Sequence, residues 1–295
     1  MTVLVTGGTG FVGPKVVHAL RARGRQVRAL VRRPERGRHL ASWGVELAIG
    51  DVTDPVSLRA AAEGCSHVVH LVAIIAGRPA EFEHVMTQGT RNVVRAAEEV
   101  GISRFVLMSA LGTGEATKDG VPYFAAKWQM EQAVEASPLE HVIFRPSFVF
   151  GRDGGALPTL IRQVRWSPVV TVIGPGTQRA QPIWVDDVAA YFAQALDEPQ
   201  AANRTFELGG PDVVSWNELY LRIARVLGKR RRLAHVPFGL ARAGAGVAQL
   251  VPGAPLTRDQ VEMLAGPDNV VASAGAVETF ALPLVPLDEQ IRRAA

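Results

Sequence analysis

The sequence predicts an α/β fold, with a doubly wound parallel sheet and a smaller mixed C-terminal lobe. Short apolar strands alternate with helical patterns through the first half of the 295 residues, which is typical of βαβ units. A glycine-rich turn joins the first strand to the first helix. After about residue 150, glycine and proline become frequent and the predicted elements shorten. We therefore predict a dinucleotide-binding domain over 1–150 and a lobe over 151–295, partly interleaved with the sheet.

The first predicted strand, 3–5, runs into the sequence TGGTGFVG. Gly7, Gly10 and Gly13 lie three residues apart, and a helical apolar pattern follows them. At a strand–helix turn, such glycines permit a tight turn, close approach of the backbone to a pyrophosphate, and close packing of helix on strand. An ordinary glycine-rich turn is the alternative, but the position before a helix N-terminus favours nucleotide binding. The predicted phosphate-binding residues are Gly7, Thr9, Gly10, Phe11, Val12 and Gly13.

The remaining elements follow from periodicity and from turn residues. The further predicted strands are 26–31, 46–49, 67–72, 104–108 and 141–144, and the predicted helices are 56–63, 81–100 and 123–135. The second half is predicted to contain a strand over 180–185, a helix over 186–196 and a strand over 204–208 that returns to the sheet. Capping-box patterns at Ser215 and Thr257 predict two more helix starts.

The end of the second predicted strand indicates the cofactor. Folds specific for NAD usually carry an acidic residue about 20 positions after the glycines, which holds the ribose 2′-hydroxyl. Here Arg32 and Arg33 occupy that place, and a guanidinium matches a 2′-phosphate in charge and geometry. We predict NADPH, with NAD as second choice; two more arginines of a basic surface are the alternative. Asp51 and Val52, after the third strand, are predicted near the adenine, unless Asp51 only begins a helix.

Tyr123 and Lys127 form the candidate catalytic pair. They are four residues apart on a predicted helix and therefore share one face. A tyrosine ordinarily has a pKa of about 10, and a neighbouring ammonium favours the phenolate, so we expect a lowered pKa. The pair then exchanges a proton with a carbonyl or hydroxyl while a nicotinamide carries hydride. A surface lysine that follows a tyrosine by chance is the alternative.

These motifs resemble the atypical and extended short-chain dehydrogenase/reductase family, whose members are epimerase/dehydratase-like. The branch includes the NAD(P)-binding accessory subunit of mitochondrial complex I. Besides TGGTGFVG and YFAAK, the similar motifs are QGTRNV at 88–93, FVLMSA at 105–110, RPSFVFG at 145–151, QPIWVDDV at 181–188, ELGGP at 207–211 and the stretch 255–270. The resemblance implies a Rossmann fold and a Lys127 that also holds the nicotinamide ribose. The predicted cofactor site is completed by Ala73, Pro146, Phe148 and Val149.

Two positions depart from the family's catalytic members. A serine or threonine commonly follows the fifth strand; here Ser109 is present, but Ala110 holds the expected slot and Thr113 is a substitute. An asparagine that is often found in the helix after strand four appears as Thr87. We predict Ser109 as the third catalytic residue. The resemblance implies that loss of both groups suits weak catalysis, or a protein that keeps its cofactor for structure.

Four functions follow from this pattern, and the enzyme assignment leans to an NADP-dependent oxidoreductase. The leading one is transfer of hydride to or from a carbonyl, quinone or hydroxyl substrate. The alternatives are a nucleotide-sugar epimerase or dehydratase, a non-catalytic NADPH-binding subunit or assembly factor of a respiratory complex, and a redox-sensing regulator. No residue of the second half identifies a substrate.

Composition limits the remaining classes. The single cysteine, Cys65, excludes a disulfide framework and a cysteine-ligated metal site, so we expect no metal and a reducing cytoplasm. His67 and His70 are predicted to be core residues of their strand. No signal-peptide pattern and no spanning run of about 18 apolar residues is present. The nearest run, 236–256, is broken by prolines and is predicted to be a core helix, with a membrane-touching or partner-touching surface as the alternative.

The charge gives little indication of partners. The net charge is +4, and the basic clusters at 21–38 and 229–232 lack aromatic interleaving, so we expect no nucleic acid. Arg145, Arg152 and Arg179 are candidates for an anionic substrate or, equally, for salt bridges. A peripheral membrane contact, a respiratory-complex contact and the oligomeric state stay open.

Overall fold

A computed structural model of the chain describes residues 1–248 and 257–295. Contacts along the chain divide it into two units. The first comprises Met1–Pro146, Val185–Leu208 and Ala272–Pro283, and the second comprises Ser147–Trp184, Gly209–Val271 and Leu284–Ala295. Neither unit is one continuous segment. The division into domains near residue 150 stays a prediction, since these units describe contacts and not independent folding.

Thirteen strands lie in the described residues: β1 (Thr2–Thr6), β2 (Gln26–Val31), β3 (Glu46–Ile49), β4 (His67–His70), β5 (Arg104–Met108), β6 (Glu140–Pro146), β7 (Val149–Phe150), β8 (Val169–Ile173), β9 (Arg179–Ala180), β10 (Ile183–Trp184), β11 (Arg204–Leu208), β12 (Val214–Ser215) and β13 (Arg232–Val236). Seven of them form the sheet of the first unit, in the order β11-β6-β5-β4-β1-β2-β3. Every neighbouring pair in this sheet is parallel. The predicted parallel sheet is confirmed.

The helices over the same residues are α1 (Gly13–Ala22), α2 (Pro34–Ala41), α3 (Pro55–Ala62), α4 (Pro79–Glu81), α5 (Gly89–Glu99), α6 (Pro122–Glu135), α7 (Leu157–Trp166), α8 (Val185–Gln194), α9 (Trp216–Val226), α10 (Phe238–Ala248), α11 (Arg258–Ala265), α12 (Gly275–Phe280) and α13 (Leu287–Ala294). A π-helix over Phe82–Gln88 joins α4 to α5, and 3₁₀ turns lie at Glu115–Thr117 and Pro199–Ala201.

Three predicted elements differ from those in the structure. The helix expected over 81–100 is interrupted by the π-helix, a form that often marks functional sites. The strand expected over 180–185 is two short strands, β9 and β10, on either side of Pro182. Helix α2 was not predicted, because its only buried residues are Gly37 and Leu40, too few for a helical apolar pattern. Of the run 236–256, residues 249–256 lie outside the described residues.

The centre of the sheet is buried on both faces, as parallel sheets require. In β4 every residue is buried, including His67 and His70. The His70 ring is held between two hydroxyls, with Nδ1 2.6 Å from Thr6 Oγ1 and Nε2 3.0 Å from Thr90 Oγ1. Burial, together with the charge of nearby Lys127, lowers the pKa of His70 to about 3. Both histidines therefore lie in the core, as predicted.

The sheet topology gathers the predicted site residues of the first unit at one edge. Because all seven strands are parallel, their carboxyl ends meet there, where ligands bind in open α/β sheets. β1 leads into the glycine loop, β2 into Arg32, β3 into Asp51, β4 into Ala73 and β5 into Ser109.

The second unit is built from short strand pairs and helices. β8 pairs with β13 and β7 with β10, both parallel, whereas β9 pairs antiparallel with β12. Ser147 Oγ donates to Asn269 Oδ1 at 2.5 Å, and the Arg222 guanidinium donates to Asp212 at 2.7 Å. The capping box at Thr257 is present at the start of α11, and Ser215 caps α9.

Candidate functional site

The glycine loop is shaped by the absence of side chains. Gly7 has a φ of +76°, and a Cβ there would lie 2.9 Å from the Leu71 carbonyl carbon. A Cβ at Gly13 would lie 2.3 Å from the Gly7 carbonyl oxygen. Gly10 is exposed, its N–H donates to Gly7 O at 3.1 Å, and an added Cβ would meet only that oxygen, at 3.3 Å. The loop therefore packs against its surroundings at Gly7 and Gly13 with no room for a side chain, whereas its backbone is accessible to a ligand at Gly10.

Helix α1 begins directly at this loop. Its first turn contains Pro14, and within the described residues no side chain caps its N-terminus. An uncapped N-terminus presents N–H groups and the positive end of the helix dipole, which suit a phosphate. The tight turn at Gly7, the close packing at Gly13 and the open backbone at Gly10 therefore fit a dinucleotide pyrophosphate.

The structure brings two predicted cofactor residues together at neighbouring strand ends. Arg32 Nε lies 4.0 Å from Asp51 Oδ2, and the Arg32 side chain is 70% exposed. Asp51 also accepts hydrogen bonds of 2.9 Å from the N–H and the hydroxyl of Thr53. Arg33 is exposed and precedes the first turn of α2. The exposed guanidinium of Arg32 thus lies at the end of β2, beside the Asp51 carboxylate, which is held in place by its hydrogen bonds to Thr53.

Helix α5 supports the adjacent Val52. The Asn92 side chain is buried and donates from Nδ2 to Val52 O at 3.0 Å. A Cβ at Gly89 would lie 2.8 Å from Val52 Cγ2, so only glycine permits this approach. From the sequence, Asn92 was noted only as part of the motif at 88–93, with no role of its own. The three-residue spacing of Gly89 and Asn92, which places them on one helix face, was the available signal.

Tyr123 and Lys127 lie on one face of α6, as predicted. Lys127 Nζ is 5.8 Å from the centre of the Tyr123 ring and donates to Met108 O, at the end of β5, at 2.6 Å. The Lys127 side chain is 1% exposed. The lysine is therefore fixed beneath the tyrosine and tied to the sheet.

The electrostatics of the pair differ from the expectation. Burial raises the pKa of Tyr123 to about 12, whereas a lowered pKa was predicted. Burial also lowers the pKa of Lys127 to about 7, opposed by the nearby Glu131 carboxylate. The physical reason is that removal from water penalises both charged forms, the phenolate of Tyr123 and the ammonium of Lys127. The predicted direction for Tyr123 was wrong.

An ion pair lies one helical turn further along α6. Glu131 is 0% exposed and accepts two hydrogen bonds from Arg145 of β6, at 2.9 and 2.5 Å. Tyr123, Lys127 and Glu131 are spaced four residues apart and lie on one side of the helix. Arg145 was a candidate residue from the sequence, whereas its ion-pair partner Glu131 was not indicated. For Arg145, the salt bridge rather than a free cation is found, and Arg179 likewise pairs with Asp268.

Ser109 and Thr113 are neighbours at the end of β5. Ser109 is 1% exposed, its N–H donates to Phe144 O at 2.7 Å, and its hydroxyl lies 3.4 Å from Thr113 Oγ1. Ser109 therefore directly follows Met108, whose carbonyl oxygen accepts the hydrogen bond from Lys127. The Ser109 hydroxyl is directed to Thr113.

Thr87 is buried in the π-helix, and across the described residues its hydroxyl has no hydrogen-bond partner. Buried hydroxyls without a hydrogen-bond partner are uncommon in folded proteins.

The last predicted cofactor residues divide between the units. Ala73 is exposed after β4, and Pro146 ends β6, where its carbonyl accepts from the Leu111 N–H at 2.9 Å. Phe148 and Val149 belong to the second unit, where the Phe148 ring packs edge-on against Trp216.

Within residues 1–248 and 257–295, no group of three or more His, Cys, Asp or Glu is arranged to hold a metal ion. No described helix is long and apolar enough to cross a membrane.

A family model for NAD(P)H-binding proteins matches residues 7–199. The chain belongs to this NAD(P)H-binding family. The match spans the glycine loop, Arg32, Asp51 and the Tyr123–Lys127 pair. Cofactor binding by the first unit is therefore a property of the family as well as of the loop geometry.

Curated proteins similar to the chain include reductases and a respiratory subunit. The chain is 32% identical over 245 residues to a ceramide reductase of Caulobacter vibrioides, covering 82% of this chain and 76% of that one. It is 30% identical over 272 residues to 4-hydroxy-2-methyl-3-oxo-4-farnesyl-3,4-dihydroquinoline-1-oxide ketoreductase of Stigmatella aurantiaca, covering 84% and 80%. It is 30% identical to the mitochondrial NADH dehydrogenase [ubiquinone] 1 alpha subcomplex subunit 9 of Arabidopsis thaliana, covering 82% of this chain and 61% of that one.

Solved structures confirm the predicted fold. A triphenylmethane reductase of Citrobacter sp. superposes with a TM-score of 0.82 at 21% identity, covering 100% of this chain and 99% of that one. Together, the comparisons confirm the predicted class, an NAD(P)H-binding oxidoreductase of the atypical short-chain dehydrogenase/reductase type.

Proposed function

We propose that this protein is an NADPH-dependent reductase of carbonyl compounds. The observation that carries the proposal is the position of Tyr123, which lies on one helix face with Lys127 in the same unit as the glycine loop. Burial raises the pKa of Tyr123 to about 12, so the phenol keeps its proton at neutral pH. A phenol that holds its proton can serve as the acid in the reduction of a carbonyl.

The residues of this chain have separate tasks in that reaction. Bound NADPH supplies the hydride. Tyr123 donates a proton to the carbonyl oxygen as negative charge develops on it. Lys127, held by Met108 O, stands beneath the ring and holds the nicotinamide ribose, as the family resemblance implies. Ser109 is the third proposed member and orients the substrate oxygen.

Arg32 and Arg33 support NADPH as the preferred cofactor. Both follow β2, both are exposed, and Arg32 is oriented by Asp51 at 4.0 Å. A planar guanidinium binds a phosphate through paired, charge-assisted hydrogen bonds, which a ribose 2′-hydroxyl cannot match. Gly7, Thr9, Gly10, Phe11, Val12 and Gly13 are proposed to hold the pyrophosphate, and Val52 and Ala73 the adenosine end.

The relatives narrow the substrate class. One relative is named as a reductase of ceramide, and another as a ketoreductase of a farnesyl-substituted dihydroquinoline oxide. We propose an apolar ketone as the substrate, with a quinone as the second choice. The cytoplasmic location and the contact with a respiratory complex stay predictions.

Titration of the purified chain with NADPH and NADH tests the cofactor. We expect NADPH to bind at least about tenfold more tightly, and Arg32→Ala to remove most of that difference while leaving NADH unchanged. Arg38→Ala is the matched control, because Arg38 is an exposed arginine further along α2. Equal affinity for both cofactors in the unaltered chain contradicts the NADPH assignment.

Turnover is tested by following NADPH oxidation with apolar ketones and quinones. Reduction of a ketone that Tyr123→Phe abolishes supports the proposal. Tight NADPH binding with no turnover on any of them favours the non-catalytic subunit or assembly factor instead. The observations that keep this second function open are Ala110, where the family's catalytic members have a serine or threonine, and Thr87, where they often have an asparagine.

A further inference from the structure

The end of α7, in the second unit, carries an exposed apolar tip. Trp166 is the last residue of the helix and is 77% exposed, and Val169, which begins β8, is 48% exposed. Pro168, between them, is also exposed. The buried face of α7 is formed by other residues, namely Leu157, Leu160, Ile161 and Val164. Trp166 therefore lies outside the buried face of α7, and with Pro168 and Val169 it forms one contiguous exposed apolar patch, the kind of feature that can mark an interaction surface.

A basic loop, residues 229–232, is fixed against this tip. The Arg231 guanidinium donates from Nε to Val164 O at 2.6 Å and from Nη2 to Arg165 O at 3.1 Å. It thereby satisfies carbonyls of the last turn of α7, which have no partner within the helix. β13 then starts at Arg232, which is in register with Val169. The tip and the basic loop form one surface because Arg231 joins them.

The charge of this surface has a single sign. The stretches 162–169 and 229–232 contain Arg162, Arg165, Lys229, Arg230, Arg231 and Arg232, and no aspartate or glutamate. In the described part of α9 and α13, the acidic side chains are engaged elsewhere. Glu218 pairs with Arg222, and Glu289 pairs with Arg293. Arg165 donates to Ala295 O at 2.9 Å and Arg231 donates to the carbonyls of α7. The other four cations, Arg162, Lys229, Arg230 and Arg232, are exposed.

We propose that Trp166, Pro168, Val169 and the basic loop 229–232 form a docking surface for an anionic lipid bilayer. Tryptophan rings settle at the level of the lipid headgroups, and arginine and lysine beside them are attracted to anionic lipids. The proposal concerns location at a membrane and does not depend on the NADPH chemistry of the first unit.

A bilayer fits this surface better than a nucleic acid does. Pro168 and Val169 offer a base neither a ring to stack on nor a donor to read it, whereas both add apolar area that a lipid interface buries. The single exposed aromatic ring likewise falls short of the series of rings that single-stranded nucleic acid uses.

Flotation of the full chain with lipid vesicles tests the proposal. We expect binding to vesicles that contain phosphatidylglycerol, little binding to pure phosphatidylcholine, and release by high salt. Arg230→Gln/Arg232→Gln is expected to weaken binding roughly 25-fold, since each cation contributes about fivefold. Trp166→Ala is expected to weaken it on the order of tenfold.

Two matched controls make the result specific. Trp43→Ala removes a 40% exposed tryptophan of the first unit, and Arg21→Gln/Arg95→Gln removes two exposed cations there. Both controls are expected to bind vesicles like the unaltered chain. NADPH affinity and thermal unfolding of every variant report separately on folding and on the proposed enzyme.

Either of two results overturns the proposal. One is equal binding of the unaltered chain and Trp166→Ala to anionic vesicles. The other is no vesicle binding, combined with binding to a single-stranded RNA oligonucleotide that Arg230→Gln/Arg232→Gln removes. The latter reassigns the surface to nucleic acid.

Discussion

The glycine loop and the Tyr123 face of α6 are two parts of one proposed site that are built in opposite ways. The loop is made of backbone, and its shape depends on the missing Cβ atoms of Gly7 and Gly13. The α6 face carries the partly buried Tyr123 and the buried Lys127 and Glu131, and its properties depend on what surrounds these ionisable side chains. Sterics therefore govern the first part, whereas desolvation governs the second.

This difference explains which sequence-based inferences succeed. A glycine motif reports directly on backbone geometry, so its consequence is local and readable. A tyrosine–lysine spacing reports that two side chains share a face, but the protonation of those side chains is set by residues distant in sequence. Four changes test the contrast, from the largest expected effect to the smallest.

Gly13→Ala is expected to have the largest effect, because the added methyl would lie 2.3 Å from Gly7 O and backbone must move. We expect a loss of more than about 4 kcal/mol in the free energy of unfolding and no NADPH binding. Gly10→Ala is the matched control, since its methyl would meet only one atom, at 3.3 Å. It should keep the fold and lose cofactor affinity alone, on the order of tenfold. Urea unfolding and NADPH titration measure both; equal stability of the two variants contradicts the steric account.

Tyr123→Phe is expected to lower kcat about 10³-fold, within the range of a lost general acid, with NADPH affinity unchanged. Tyr220→Phe is the control, because burial raises the pKa of Tyr220 to about 12 as well, yet Tyr220 lies in the second unit and bonds to Gln163. Steady-state kinetics measure the effect. If both variants turn over normally, Tyr123 is not the proton donor.

Glu131→Gln is expected to cost about 3 kcal/mol in the free energy of unfolding, because Arg145 is left without its buried countercharge. Glu140→Gln is the matched control. Glu140 is 42% exposed, and its partner Arg104 also donates to the carbonyls of Ala195 and Glu198. It should cost less than about 1 kcal/mol. Chemical unfolding of both variants gives the comparison, and equal costs show that burial does not distinguish the pairs.

Lys127→Met is expected to change how stability depends on pH in the cofactor-free chain. With a folded-state pKa of about 7, below its ordinary value, Lys127 binds its proton more readily in the unfolded chain between pH 7 and its ordinary pKa. Stability should therefore rise with pH from about 7 to 9, by at most about 1.4 kcal/mol per pH unit. The variant lacks this rise, while Lys15→Met, at a partly exposed lysine, keeps it. Urea unfolding at each pH measures the slope; the same slope in Lys127→Met contradicts the lowered pKa.

The sequence predicted the fold and the helices and strands that carry the proposed site residues, but not the surroundings of those residues. The alternation of strands and helices and the spacing of glycines are local patterns, so β2, β3 and β5 have the predicted bounds. Arg204–Leu208 was likewise expected to return to the sheet, and it forms the edge strand beside β6.

What could not be predicted depends on contacts across the chain. Glu131 and Arg145 lie on different elements, α6 and β6, and neither residue's pattern indicates the other. The raised pKa of Tyr123 follows from burial, which needs the packed structure. The π-helix was likewise not predicted, because residues 82–88 were read as part of one continuous helix over 81–100 and their residue types do not indicate i→i+5 hydrogen bonds.

The interrupted course of the first unit has a consequence for engineering. A fragment cut at residue 150 would carry the glycine loop and the Tyr123 face but lose β11, so β6 would become an open edge. Unpaired edges of this kind promote association between molecules. The fragment would also lose α8, whose Asp186 lies 3.7 Å from Lys15 of α1. Transplanting the cofactor half of this protein into another member of its family therefore means grafting three chain segments together, because no single cut releases it.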